Sequence, residues 1–184
     1  MARTSLLAMS GSLRAASINT AVLKAATLVS PAGVELTLYE RLAFLPPFNP
    51  DEDGERPPRE VAALRTEVAR ADGLLIACPE YAHGVPGAFK NALDWLVSSP
   101  DFDGKPVALV NCAARAFHAQ ASLRETLVTM SARFAPEAFV TLPFIEPAND
   151  AMALAADERF AVPLRAALST FAAFIHDGWA GRRR

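Results

Sequence analysis

The segment Ser10-Gly11-Ser12-Leu13-Arg14-Ala15-Ala16-Ser17-Ile18-Asn19 gathers hydroxyls, an amide and one guanidinium just ahead of a stretch with helical periodicity. Backbone N–H groups left unpaired at a helix start, joined by Ser12, Ser17 and Asn19 as side-chain donors, make a cradle for a phosphate dianion. Arg14 adds a charged fork. No lysine follows a second glycine, so this is not a Walker loop, and Gly11 alone is not the dinucleotide fingerprint. A turn closed by a serine N-cap accounts for Ser17 without any ligand, and both readings stand at this level.

A second segment, Cys78-Pro79-Glu80-Tyr81-Ala82-His83-Gly84-Val85-Pro86-Gly87, is stiffened by two prolines and opened by two glycines. Such a backbone can approach a flat ligand closely, with Pro79 and Tyr81 against a planar ring and loop N–H groups as donors. Ordinary turn chemistry between a strand and a helix is the alternative. A phosphate cradle beside a flat-ring platform suits a mononucleotide such as FMN better than a dinucleotide.

These loops need elements to position them. Leu6 to Met9 is a short apolar run ending at a Ser-Gly-Ser turn, which predicts a buried strand. Asn19 to Val29 repeats apolar residues at helical spacing, and Val34 to Tyr39 alternates as a strand does. Arg41 to Pro58 is proline-rich and acidic, and connections of that length are usually functional or mobile. A helix follows up to Ala71, with Val61, Leu64 and Val68 inward. Then come a strand at Leu74–Ala77, a helix at 87–96, a strand at 106–110, and a helix at 119–130 with Leu123, Leu127 and Met130 inward. A last strand is predicted at 138–142, and a closing helix at 157–175 that restarts at Pro163. Strands alternating with helices predict right-handed parallel βαβ units, a three-layer doubly wound α/β sheet of five strands. Ligands bind such sheets beyond the carboxyl ends of the strands, which selects residues 10–19, 79–86 and 111–117.

Composition sets the outer limits. The chain has 184 residues, with 18 Lys and Arg against 20 Asp and Glu, so no cationic surplus recommends a nucleic acid or an anionic membrane as partner. No run approaches the roughly 20 apolar residues of a membrane span, and no cleavable leader is read at the N-terminus. Cys78 and Cys112 fit neither a disulfide framework nor a zinc spacing and read as small core residues. The expectation is one cytoplasmic domain over 1–184, without repeat or linker. No G-x-S-x-G elbow is present, and His83, His118 and His176 are scattered without metal spacing. His83 alone among them lies in a site loop. Asp51-Glu52-Asp53 reads as solvated, and Glu60, Glu67 and Asp72 as an exposed helix face. No catalytic side chain and no metal ligand is assigned.

The stretches GSLRAASIN at 11–19 and PEYAHGVPGAFKNALDWL at 79–96 together resemble the NADPH-dependent FMN reductase family, which includes flavin, quinone, azo-dye and chromate reductases. The resemblance implies a flavodoxin-like three-layer α/β/α sandwich, with a five-stranded parallel sheet in the order 2-1-3-4-5. It implies FMN as cofactor, NADPH or NADH as co-substrate, and a small-molecule electron acceptor. Cofactor contacts fall at Ser10, Ser12, Leu13, Arg14, Ser17 and Asn19 around the phosphate. Around the isoalloxazine they fall at Pro79, Glu80, Tyr81, Ala82, His83 and Gly84. Lys90, Asn91, Asp94 and Trp95 lie on the 87–96 helix that family members use for homodimers and homotetramers. The sequence departs from the family at Ala82, where asparagine is usual after the tyrosine. It departs again at Asn111-Cys112-Ala113-Ala114-Arg115-Ala116, which lacks the usual serine and glycine. Arg115 there faces either an anionic part of NADPH or solvent. Since such a cofactor carries the difficult step, no side-chain acid or base is obligatory. The alternatives from other classes are a flavin-binding electron carrier or redox regulator with little turnover, and a degenerate member that no longer holds FMN.

Overall fold

The computed structural model describes residues 3–113, 117–143 and 150–182. Continuous apolar runs become strands covered on both faces: β1 (Thr4–Ser10), β2 (Val34–Tyr39), β3 (Gly73–Ala77) and β4 (Pro106–Asn111). Two short strands, β5 (Arg133–Phe134) and β6 (Val140–Thr141), both pair with β4. Every pairing is parallel and the sheet order is β2-β1-β3-β4-β5, as the flavodoxin-like reading requires. The predicted strand at 138–142 needs correction. The fifth lane of the sheet is split by a 3₁₀ turn at Pro136–Ala138, where proline cannot donate to the ladder.

Alternation along the strands builds two cores. Leu6, Ala8, Leu75, Ala77, Ala108 and Val110 face one side. Helix α1 (Ile18–Leu28) and two C-terminal helices, α5 (Ala151–Ala156) and α6 (Glu158–Arg182), cover them. Leu7, Met9, Leu74, Ile76, Val107 and Leu109 face the other. Helices α2 (Arg59–Arg70), α3 (Gly87–Leu96) and α4 (Phe117–Thr129) lie against that side. The predicted stripes Val61/Leu64/Val68, Phe89/Leu93/Leu96 and Leu123/Leu127/Met130 are all buried. Gly73 opens β3 beneath α6, where a Cβ would lie 2.7 Å from the Phe171 ring.

The C-terminal break falls at Asp157, not at Pro163. Asp157 closes α5 by donating its N–H to Ala153, and its carboxylate accepts the Arg159 N–H at 2.9 Å to open α6. Pro163 then lies inside α6. Asp72, expected on an exposed helix face, instead accepts the Ser5 N–H at 2.8 Å and ties the end of α2 to β1.

The long segment 41–58 is pinned. Its first 3₁₀ turn, Leu42–Phe44, lies over α3, and a second forms at Pro50–Glu52. The Pro46 carbonyl accepts from Asn91 Nδ2 and Trp95 Nε1, each at 2.9 Å, and the Phe48 N–H donates to Asn91 Oδ1 at 2.7 Å. Asp53 is held by Arg65 at 2.7 Å and by the Ser98 hydroxyl at 2.7 Å, while Arg65 also donates to the Trp95 carbonyl at the end of α3. The expectation of a solvated Asp53 is therefore wrong. Burial alone would raise its pKa, but the hydrogen bonds from Arg65 and Ser98 outweigh it and hold the carboxyl below its usual range.

Candidate functional site

The two loops meet at Gly11. Its N–H donates to the Ala77 carbonyl at 2.9 Å, and a Cβ there would lie 2.8 Å from Cys78 Sγ. Only glycine lets the end of β1 touch the end of β3, and this junction is the switch point of the sheet. Both cysteines are buried and their thiols are pushed up to about 12 by desolvation, so neither is a ready nucleophile.

In the first loop the hydroxyls are partly used by the chain. Ser10 is buried, hydrogen-bonds Thr20 Oγ1 at 2.8 Å and accepts the Ser12 N–H. Ser12 Oγ accepts the Arg14 N–H at 3.2 Å. Ser17 is indeed the N-cap of α1, accepting the Thr20 N–H at 3.3 Å. A hydroxyl that accepts keeps its own proton to give, so capping and anion contact are compatible. Helix geometry leaves the N–H groups of the first turn of α1 without intrahelical partners. The Arg14 guanidinium is exposed and has no hydrogen-bond or ion-pair partner among the described residues. Asn19 Oδ1 is buried and unpaired there. These groups fit a phosphate followed by a hydroxyl-bearing chain: a free cation, helix-start donors, a buried acceptor awaiting an O–H, and no acid between 10 and 19. A cleft of ≈ 240 Å³ lined by Ser12, Leu13, Arg14 and Thr20 flanks the loop. A wider one, ≈ 490 Å³, opens near Asp72 and Lys105 at the amino ends of the strands. That end lacks the helix-start donors, so size does not select the site.

In the second loop Tyr81 and Gly84 exchange both backbone hydrogen bonds, at 3.1 and 2.9 Å, around Ala82 at φ 49° and His83 at φ 61°. Two consecutive left-handed residues define a turn in which glycine or asparagine is preferred. The asparagine usual in the family would relieve the strain that Ala82 carries. Glu80 turns its carboxylate to the Ala119 N–H at 2.8 Å and caps α4, while Tyr81 stays exposed. On α3, Asn91 and Trp95 point inward to the 41–58 segment. Lys90 and Asp94 pair with each other.

The structure also brings together residues that the sequence kept apart. His83 and His118 stack with ring centroids 4.3 Å apart, and Phe117 lies 4.0 Å from His118. No spacing rule links a strand-end loop to the start of a helix three elements later. Residues 114–116 of the third site loop, Arg115 among them, lie outside the described residues.

A doubly wound parallel sheet with a helix-start anion cradle and a rigid proline-bracketed loop at its switch point defines a flavodoxin-like nucleotide-binding protein. The model of the NADPH-dependent FMN reductase family matches residues 4–146, and the chain belongs to that family. It is 34% identical over 158 residues to an NAD(P)H-dependent FMN reductase of Pseudomonas aeruginosa, covering 83% of this chain and 85% of that one. It is 36% identical over 128 residues to a quinone reductase of Escherichia coli, covering 66% and 68%. Among solved structures, the flavoenzyme NAD(P)H:(acceptor) oxidoreductase FerB of Paracoccus denitrificans superposes with a TM-score of 0.75 at 27% identity, covering 95% and 98%. The chain is thus an oxidoreductase of this family. No described helix is long and apolar enough to cross a membrane.

Proposed function

We propose that the chain, acting as one domain over 1–184 in the cytoplasm, holds FMN and uses it to carry reducing equivalents from NADPH or NADH to a small organic acceptor, a quinone foremost. When bound, FMN supplies the hydride chemistry between the nicotinamide and the acceptor. Arg14, Ser12, Ser17 and the first-turn N–H groups of α1 bind the phosphate, and Asn19 takes a hydroxyl of the ribityl chain. Ser10 and Leu13 shape that loop rather than charge it. Pro79, Tyr81 and the backbone from Ala82 to Gly84 orient the ring, with Glu80 fixing the loop against α4. A homo-oligomer remains part of the proposal. Its contact on α3 is restricted to the outward side carrying Lys90, because Asn91 and Trp95 are committed inward.

The observation that carries this reading is the unpaired Arg14 guanidinium at a helix start that Gly11 fastens to the second loop. Arg14→Ala should weaken FMN by about tenfold or more while riboflavin, which has no phosphate, changes little. Fluorescence titration with the two flavins decides it, and equal losses would remove the phosphate assignment. The absorbance of the purified protein after FMN addition and desalting tests the cofactor itself.

A further inference from the structure

The ring cluster beside this site belongs to no part of the phosphate cradle. His83 and His118 stack 4.3 Å apart with planes 25° from parallel, Phe117 adjoins His118, and all three are exposed. The arrangement is held from both sides. His83 sits at φ 61° within the doubly bonded Tyr81–Gly84 turn, and Glu80 fastens that turn to the start of α4 through Ala119. A left-handed conformation is unfavourable for any residue but glycine, so the loop keeps this shape only because its surroundings impose it.

Neither imidazole has a hydrogen-bond or ion-pair partner among the described residues, so their nitrogens are open to a ligand. A neutral imidazole carries one N–H donor and a protonated one carries two, so the pair offers donors in any protonation state. Stacked rings hold their lone pairs side by side rather than converging, and no described group of three His, Cys, Asp or Glu residues surrounds a metal position. Flat faces with edge donors match instead a planar molecule that carries oxygen on its rim.

We propose that the His83–His118 pair is the acceptor-recognition element: it donates hydrogen bonds to the carbonyl oxygen of a quinone and selects quinones over acceptors without one. The inference rests on the functional reading above and names the residues that would set its acceptor class. A site built to hydrogen-bond a substrate oxygen discriminates strongly against partners lacking it.

The test compares His118→Ala and His118→Phe with the parent in the FMN-loaded protein, using duroquinone and ferricyanide as alternative acceptors for NADPH. Phenylalanine keeps a ring on His83 but has no N–H. Both variants should lower the ratio of kcat/KM for duroquinone to that for ferricyanide by about fivefold or more, chiefly through the duroquinone KM. An unchanged ratio in both, or full retention in His118→Phe, overturns the proposal. An independent readout follows the ring NMR signals of the three histidines on adding duroquinone without NADPH. His83 and His118 should shift, whereas His176, bonded to Thr4 at the opposite end of the sheet, should not. Absence of that selectivity also overturns the proposal. A protein that takes up FMN but oxidises no NADPH would break the functional reading instead, and the NMR titration would still decide the role of the pair.

Discussion

Between Arg41 and Pro58 the chain runs without α-helix or strand, and yet side chains from α2 and α3 hold its backbone at Pro46 and Phe48 and its carboxylate at Asp53. Between Pro79 and Pro86 the connection is much shorter, carries two left-handed residues, and leaves Tyr81, Ala82 and His83 exposed. The long segment is ordered by satisfied polar groups and an edge-on Phe48–Trp95 contact at 5.0 Å. The short one is ordered by its own turn at the expense of strain. Loop length is a poor guide to rigidity because what matters is where the backbone hydrogen bonds end. The pinned segment acts as scaffold. The strained one presents the exposed Tyr81 and His83 beside the switch point, and local strain is commonly kept at functional sites.

Trp95→Ala attacks this contrast hardest. It removes a fully buried ring and a donor to Pro46, and should cost about 4 kcal/mol in urea unfolding. Hydrogen exchange should show the Phe48 amide losing protection while Tyr81 and Gly84 keep theirs. If both loops open together, the two regions are one cooperative unit.

Arg65→Ala follows, leaving the Asp53 carboxylate, 11% exposed, without its cation, at a cost of roughly 3 kcal/mol. The same pair gives the parent an acid limb. Asp53 has a folded pKa below its unfolded one, so its stabilisation is full above the unfolded value and is lost as pH falls through the folded one. Asp53→Asn should therefore be less stable at neutral pH and lose less than the parent as the pH falls below the ordinary Asp value of about 4. Parallel urea midpoint curves for the two proteins would count against this ion pair.

Ala82→Gly is the smallest change and has the opposite sign. Relieving φ 49° should stabilise the protein by about 1 kcal/mol, read as a raised midpoint with unchanged slope. A destabilised variant would mean that the turn carries no strain.

Much of this was legible from residue order. The apolar runs and their spacing placed β1 to β4 and helices α1 to α4 within a few residues, since burial on two faces leaves a period that a linear reading detects. The loops at 10–19 and 79–86 were selected by the rule that parallel sheets bind beyond their carboxyl ends. The motif GSLRAASIN with PEYAHGVPGAFKNALDWL indicated the family. The split β5 and β6 lane and the short helix α5 before Asp157 were not legible, because elements this short leave no periodicity, whereas the start of the closing helix at Asp157 was. Nor was the fate of Asp53, which looks solvated until Arg65 and Ser98 close on it.

The sequence by itself determined the layers, the strand order through its family motif, and the loops that lie beyond the carboxyl ends of the strands. Local propensity and the period of burial are properties of neighbouring residues. Only the tertiary structure decided that Glu80 caps α4, that Asn91 and Trp95 serve the 41–58 segment, and that His83 stacks on His118. Each of these joins residues from different elements, and such contacts exist only after the chain has folded and packed.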